Sequence, residues 1–230
     1  MGQADTVHEA AKRLAAVHYF ATLDAAALDL AARAVVRRAY DPGEVVFLEG
    51  EPCAGLYIVE SGWLKSIKVS PGGREQVIRF VGPGEVFNEV ALLVGSPNLV
   101  TIIALEASVV WVLPRQRILE LLDAHPQMAR VVAQQMAERA MYLVHLVEDL
   151  SLRTVEARLA HILLDQAQGN EVRRQRWSTQ AEMASRLGTV PDVLNRALRN
   201  LVEAELIEVE RQQIRILDRE GLEDRSKLGV

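Results

Sequence analysis

"STQAEMASRLGTVPDVLNRALRNL", residues Ser178–Leu201, holds two helix-length patterns separated by a glycine, with arginines collected on the second. In the first, Thr179 and Glu182 form an S/T-x-x-E capping pair, and Met183 and Leu187 supply an apolar side. Gly188 then provides a turn. In the second, Thr189 is placed to cap, Pro191 falls in the first turn where its missing N–H costs nothing, and Asp192 complements the helix dipole. Val193, Leu194, Ala197, Leu198, Leu201 and Val202 share one face, which leaves Asp192, Asn195, Arg196, Arg199 and Asn200 pointing outward. Such a face offers forked donors, an amide and a carboxylate, the groups that pair with base edges in the major groove: Arg with guanine, Asp with a cytosine amine. Downstream, "LIEVERQQIRIL" (Leu206–Leu217) alternates as two strands around a polar turn, and Arg211 in that turn is placed to touch the phosphate backbone as a wing. Each charge taken singly reads as a solvated surface group. The ordered set of capped helix, glycine turn, proline-started helix and β wing reads as DNA binding.

Upstream, "SLRTVEARLAHILLDQA" (Ser151–Ala167) is one more amphipathic helix and "QGNEVRRQRW" (Gln168–Trp177) reads as a linker. The tail "DREGLEDRSKLGV" is charged and is expected to be loose. Before these runs a long helical pattern, from Pro126 to about Leu150. Ala129, Val132, Met136, Arg139, Leu143, Leu146 and Leu150 recur in it at alternating steps of three and four, with Ala140 and Val147 widening the stripe. Both sides of this helix are apolar, so Val132, Met136, Leu143, Leu146 and Leu150 are expected to meet a second copy of the chain. From Arg38 to Leu113 the texture is different: "EVVFL", "LYIVE", "LKSIKV", "QVIRFV", "LVTIIAL" and "SVVWVL", divided by "DPG", "EGEP", "SG", "SPGG", "GPG" and "GSPN". Short β-branched runs with Gly/Pro turns at nearly even intervals predict an antiparallel jelly roll. Glu9–Val36 has helical spacing, with Asp24 as an N-cap before "AAALDLAARAVV".

The expectation is therefore an α+β chain: a sensor domain over residues 1–125, a dimerisation helix over 126–150 and a winged helix-turn-helix over 151–230. Composition bounds the rest. A net charge of −5 gives no basic footprint for the whole chain, but from Leu150 onward basic and acidic residues balance at 13 each, so the excess acid lies upstream of the DNA-reading segment. Cys53 is the single cysteine, which excludes an internal disulfide, and no Cys/His spacing predicts a metal site. No signal peptide or membrane span is read, and a cytoplasmic location is expected. No GxSxG, HExxH, P-loop or strand-to-helix glycine fingerprint is present, so no catalytic residues are assigned. The rival reading is a ligand-binding module whose winged helix contacts protein.

With these residues in view, the chain resembles the bacterial transcription regulators typified by the cAMP receptor protein and the fumarate and nitrate reductase regulator, the Crp/Fnr family. The likeness runs from about His18 to Leu217 and rests on "GEVFNEVALLVGSPN" (Gly84–Asn98), the long helix and "TQAEMASRLGTVPDVLNRALRNLVEAELIEV" (Thr179–Val209). It implies a cyclic-nucleotide-binding-like N-terminal domain and a homodimer on near-palindromic promoter DNA, working with RNA polymerase under a small-molecule effector. By resemblance, Thr179 and Gln180 touch phosphate, while Asp192 and Arg196 read bases; Pro191 departs from a base-reading arginine. In the ligand cassette Glu89 stands where the family binds the ribose hydroxyl. Asn98 and Leu99 replace the Arg-Ser pair that holds the cyclic phosphate, and Leu143 and Val144 replace two adenine-contacting hydroxyl residues. This implies an effector other than cAMP. "SPNLVT" is similar to the haem-associated, nitric-oxide-responsive branch, which makes haem a candidate cofactor with His18 or His145 as ligand; the four cysteines of the iron–sulfur branch are absent.

Overall fold

The structure is a computed structural model that describes residues 3–173, 175–227 and 229. The chain divides into two compact units, 1–68 with 78–140 and 69–77 with 141–230.

The first unit begins with α1 (Gln3–Ala16), a 3-10 turn (His18–Phe20) and α2 (Ala25–Ala34). Asp24 caps α2, its carboxylate accepting the Ala27 N–H at 2.8 Å. Eight strands follow: β1 (Val36–Tyr40), β2 (Val45–Phe47), β3 (Gly55–Ser61), β4 (Leu64–Val69), β5 (Glu75–Val81), β6 (Val86–Phe87), β7 (Thr101–Ala104) and β8 (Ser108–Pro114), with α3 (Glu89–Val94) inserted after β6. They form two four-stranded sheets, β1-β8-β3-β6 and β2-β7-β4-β5, in which β1–β8, β3–β8, β3–β6, β2–β7 and β4–β7 pair antiparallel. Between them Phe47, Tyr57 and Phe87 stack with ring centroids 5.0–6.0 Å apart, among Val59, Leu64, Val81, Ile102 and Val110. A second core, around Phe20, Leu14, Leu113 and Met128, seals α1 and α2 to the outer face of the β8-containing sheet. Alternation explains both cores, because successive side chains of one strand enter opposite layers. After α4 (Arg115–Ala124), α5 runs from Pro126 to Leu152.

The second unit takes up the C-terminal half of α5, then α6 (Val155–Gln166), β9 (Glu171–Arg173), α7 (Gln180–Arg186), α8 (Pro191–Glu203), β10 (Ile207–Val209), β11 (Gln213–Ile216) and α9 (Arg219–Ser226). The tip of the β4–β5 hairpin, residues 69–77, groups with it. Its core is Leu159, Leu163, Ala184, Leu187, Leu194, Leu201, Ile207, Ile214 and Leu222.

Two sequence expectations change here. The segment read as a linker contains β9, which pairs antiparallel with β11 and turns the wing into a three-stranded sheet, β10-β11-β9. The tail read as loose contains α9, capped by the Asp218 carboxylate accepting from Gly221 N–H at 3.0 Å and anchored by fully buried Leu222.

Candidate DNA-reading surface and effector site

The DNA-reading candidate is built on two helix starts. Thr179 caps α7, its hydroxyl oxygen accepting the Glu182 N–H at 3.2 Å, so the first half of the capping pair is in place. α8 starts differently from the sequence expectation. Its N-cap is Val190, with no side-chain cap, and Thr189 instead donates its backbone N–H to the Ala184 carbonyl, continuing the turn. Pro191 occupies the first helical turn because its fixed φ suits a helix start. Gly188 takes φ +66°, and a Cβ there would meet Leu150 at 2.8 Å, so a residue without a side chain is required.

Leu194, Ala197 and Leu201 bury the inner face of α8 at 5% exposure or less, while Asp192, Arg196 and Arg199 are exposed on the other. Asp192 and Arg196 are one turn apart and so project side by side. Asn195 is half-buried; its carbonyl accepts from Arg199 Nε at 3.4 Å. Val202, expected on the inner face, is 42% exposed. Asn200 faces outward but is already engaged: its amide donates to Glu156 on α6 at 2.8 Å, and the same carboxylate pairs with Arg225 of α9. These contacts tie α8 to α6 and α9, a framework invisible to sequence reasoning because its members lie up to 69 residues apart. Thr179 and Gln180 are exposed at the start of α7. In the wing, Arg215 is held by Glu208 and Glu210 at 3.2 and 2.7 Å, which leaves exposed Arg211, in the β10–β11 turn, as the cation for a phosphate.

Glu89 and Asn98, the buried effector-site residues of the first unit, already have partners. Glu89, 4% exposed, pairs with Arg139 of α5 at 3.0 Å. Asn98, 3% exposed, uses both ends of its amide: Nδ2 donates to Leu48 O at 3.3 Å and Oδ1 accepts from Asn88 Nδ2 at 2.9 Å. Asn88 in turn adopts φ 71° at the start of α3 and also donates to the Cys53 sulfur. Burial pushes the Cys53 thiol up, so it is a poor thiolate. Leu99 is 47% exposed, and Leu143 and Val144 on α5 are 42% and 66% exposed. His18 is exposed, and the His145 side chain is 69% exposed with Glu148 3.7 Å away. Among the described residues no group of three or more His, Cys, Asp or Glu is arranged to hold a metal ion, and no helix is long and apolar enough to cross a membrane.

The stripe expected to meet a partner is largely used by the chain itself. Val132 is buried in the first core with Met136 packed on it, Arg139 holds Glu89, and Leu146 and Leu150 line a cavity in the second unit. The positions left open are Ala133, Ala137, Ala140, Val144 and Val147, again at steps of four and three, flanked by Met141 at 62%. Of the five residues expected to face a partner, Leu143 is the exposed one, at 42%; periodicity in a sequence marks an apolar stripe without saying what covers it.

A β-roll sensor domain joined by a long helix to a winged helix-turn-helix defines a transcription regulator. Residues 37–125 match the cyclic nucleotide-binding domain and residues 157–225 the Crp-like helix-turn-helix domain. The chain is 30% identical over 184 residues to the "Probable transcriptional regulator flp" of Lacticaseibacillus casei, covering 78% of this chain and 82% of the relative. It is 27% identical over 191 residues to the "CRP-like cAMP-activated global transcriptional regulator" of Mycobacterium tuberculosis, covering 80% and 85%. In fold it is similar to FixK2 from Bradyrhizobium japonicum, with a TM-score of 0.74 at 21% identity over 85% of this chain and 99% of that one. The chain belongs to the Crp/Fnr family of transcription regulators.

Proposed function

We propose that this regulator binds near-palindromic promoter DNA as a homodimer and answers to an effector other than cAMP. The observation that carries the DNA reading is the division of α8: Leu194, Ala197 and Leu201 anchor one face while Asp192 and Arg196 stand exposed on the other. Arg196 reads a guanine edge, Asp192 a cytosine amine, Thr179 and Gln180 position phosphates, and Arg211 sets the wing on the backbone. Two copies join along Ala133, Ala137, Ala140, Val144 and Val147, small residues that let helices approach closely. That pairing sets two recognition helices for half-sites about one duplex turn, ~34 Å, apart and presents RNA polymerase with a symmetric complex.

The effector reading rests on Asn98 and Glu89. A cyclic phosphate is an anion, and burying it needs a cation or several free donors. Asn98 offers neither while its amide bridges Leu48 and Asn88, and Glu89 is held by Arg139. Calorimetry with cAMP and cGMP tests this: no saturable heat at micromolar ligand is expected, and saturable binding that also tightens DNA binding rejects it. The DNA reading is tested by salt. Affinity for a promoter fragment should fall steeply and log-linearly with added salt, and a flat response favours a protein-contacting winged helix.

A further inference from the structure

The wing and the approach to α7 hold two arginines with no role so far, Arg173 at the end of β9 and Arg176 beyond it. Both are exposed, and among the described residues neither side chain has a hydrogen bond or ion pair; the same is true of Arg211. Val172 of β9 is 4% exposed and packs in the second core with Ile214, so alternation turns Glu171 and Arg173 to the outer face of the β10-β11-β9 sheet. In register Arg173 stands opposite Gln213, the first residue of β11, and so lies at the end of the sheet where the β10–β11 turn carries Arg211. Glu208 and Glu210 are spent on Arg215, and the second oxygen of Glu210 also accepts from Gln213 Nε2 at 2.9 Å. Glu171 stands opposite Arg215, two residues further from that end. From Arg173 the chain leads directly to α7, and three residues of chain keep Arg176 within about 11 Å of it. A turn fixes Arg176: Ser178 N–H donates to the Gln175 carbonyl at 2.9 Å and Thr179 N–H to the Trp177 carbonyl at 2.8 Å, which leaves Arg176 at the bend just before the Thr179 cap. No carboxylate lies in the sequence between Arg173 and Gln180.

We propose that Arg173 and Arg176 form a phosphate-binding strip for duplex DNA that joins the wing, at Arg211, to the start of α7, at Thr179 and Gln180. Unpaired guanidinium groups in a row match a polyanion whose charges recur along each strand, and each fork takes phosphate oxygens without reading a base. The strip is continuous with the surface already assigned to the backbone, and its residues come from a segment whose sequence alone reads as a linker. It rests on the DNA-binding reading and deepens it: the protein holds the duplex on both sides of α8's base-reading face, so part of its affinity is independent of sequence.

The test measures the affinity of the full-length protein for two labelled duplexes, one enriched from a random pool and one of random sequence, over a series of salt concentrations. Arg173→Gln and Arg176→Gln, checked for folding by circular dichroism, should each flatten the slope of log affinity against log salt by about 0.9, and the double variant by about 1.8. Each single variant should weaken both duplexes by the same factor, at least about threefold near 0.1 M salt. Arg173→Lys and Arg176→Lys keep the charge and should keep the wild-type slope. Arg38→Gln, which removes an exposed arginine from β1 in the first unit, should leave slope and affinity unchanged. A slope within about 0.3 of wild type for either glutamine variant overturns the strip. So does a loss confined to the enriched duplex, a lysine variant as flat as its glutamine counterpart, or equal flattening by Arg38→Gln, which means diffuse charge. A wild type that binds no duplex, or binds with a flat salt response, rejects the DNA reading and the strip together, whereas a steep wild-type slope with unchanged variants rejects the strip alone.

Discussion

Replacing Arg139 by alanine isolates the buried charge that closes the effector position of the first unit. The Glu89 side chain is 5% exposed and its partner stands 3.0 Å away, while Arg139 keeps 24% of its side chain in solvent. At that distance two charges attract by roughly 5–6 kcal/mol at an effective dielectric of 20, but most of this offsets desolvation. Removing one partner of a buried pair typically costs about 3–5 kcal/mol because the other is stranded. The exposure of Arg139 puts the expected loss for Arg139→Ala at the lower end, about 3 kcal/mol. For a chain of this size that is a fall of roughly 6–12 °C in the transition of the first unit. Glu89→Gln is milder, about 1 kcal/mol, because Arg139 turns to water instead. The double variant should regain a good part of what Arg139→Ala loses, since no charge is then buried. Scanning calorimetry at neutral pH resolves the transition. Arg139→Ala within about 0.5 kcal/mol of wild type, or a double variant no better than Arg139→Ala, would show that Glu89 finds another partner or water and would refute the reasoning.

Burial pushes the Glu60 carboxyl up, but hydrogen bonds from Arg37 and Trp111, aided by the charges of Arg37 and Arg13, outweigh it and hold the group below the ordinary carboxylate range. Its stabilisation is therefore complete above the ordinary carboxylate range, about pH 4.3, and is lost as pH falls through the lowered value, so the stability gap between wild type and Glu60→Gln should be flat at neutral pH and close only in acid below that range in a pH series of unfolding curves. A gap that stays constant in acid contradicts this. Gly188→Ala forces a side chain into the left-handed region and onto Leu150 at 2.8 Å; urea titration should show a loss of about 1–2 kcal/mol in the second unit, and no loss means the turn shifts freely. Val144→Asp should turn a dimer into a monomer in sedimentation, whereas Met136→Ala should mainly lower stability; a Val144→Asp dimer of unchanged strength places the seam elsewhere.

Legibility in the sequence followed the range of the forces involved. Caps and turns are local, so Asp24, Thr179, Pro191 and Gly188 could be placed from their neighbours alone, and the strands from their β-branched runs. β9 has a single buried residue, Val172, and α9 rests on Leu222, too little apolar pattern to show without β11 and α6 as partners. Thr189 failed as a cap because a good capping residue one position from the helix start has no advantage over the backbone turn that holds it. The exposed arginines of α8 were readable from periodicity. That Asn200 is spent on Glu156, that Arg215 is neutralised within the wing, and that Val132 and Met136 pack inward are facts of tertiary contact.

The central claim, that α8 reads base pairs through Arg196 in a symmetric complex, is tested most directly by selecting binding sites for the full-length protein from random-sequence duplex DNA and repeating the selection with Arg196→Ala. The wild type should enrich two inverted half-sites centred about one helical turn apart, and Arg196→Ala should lose preference at one symmetry-related base pair, at a cost of roughly 1–3 kcal/mol on the selected site, with affinity for random DNA little changed. Failure to enrich any motif, or an Arg196→Ala variant that weakens selected and random DNA equally, contradicts the account.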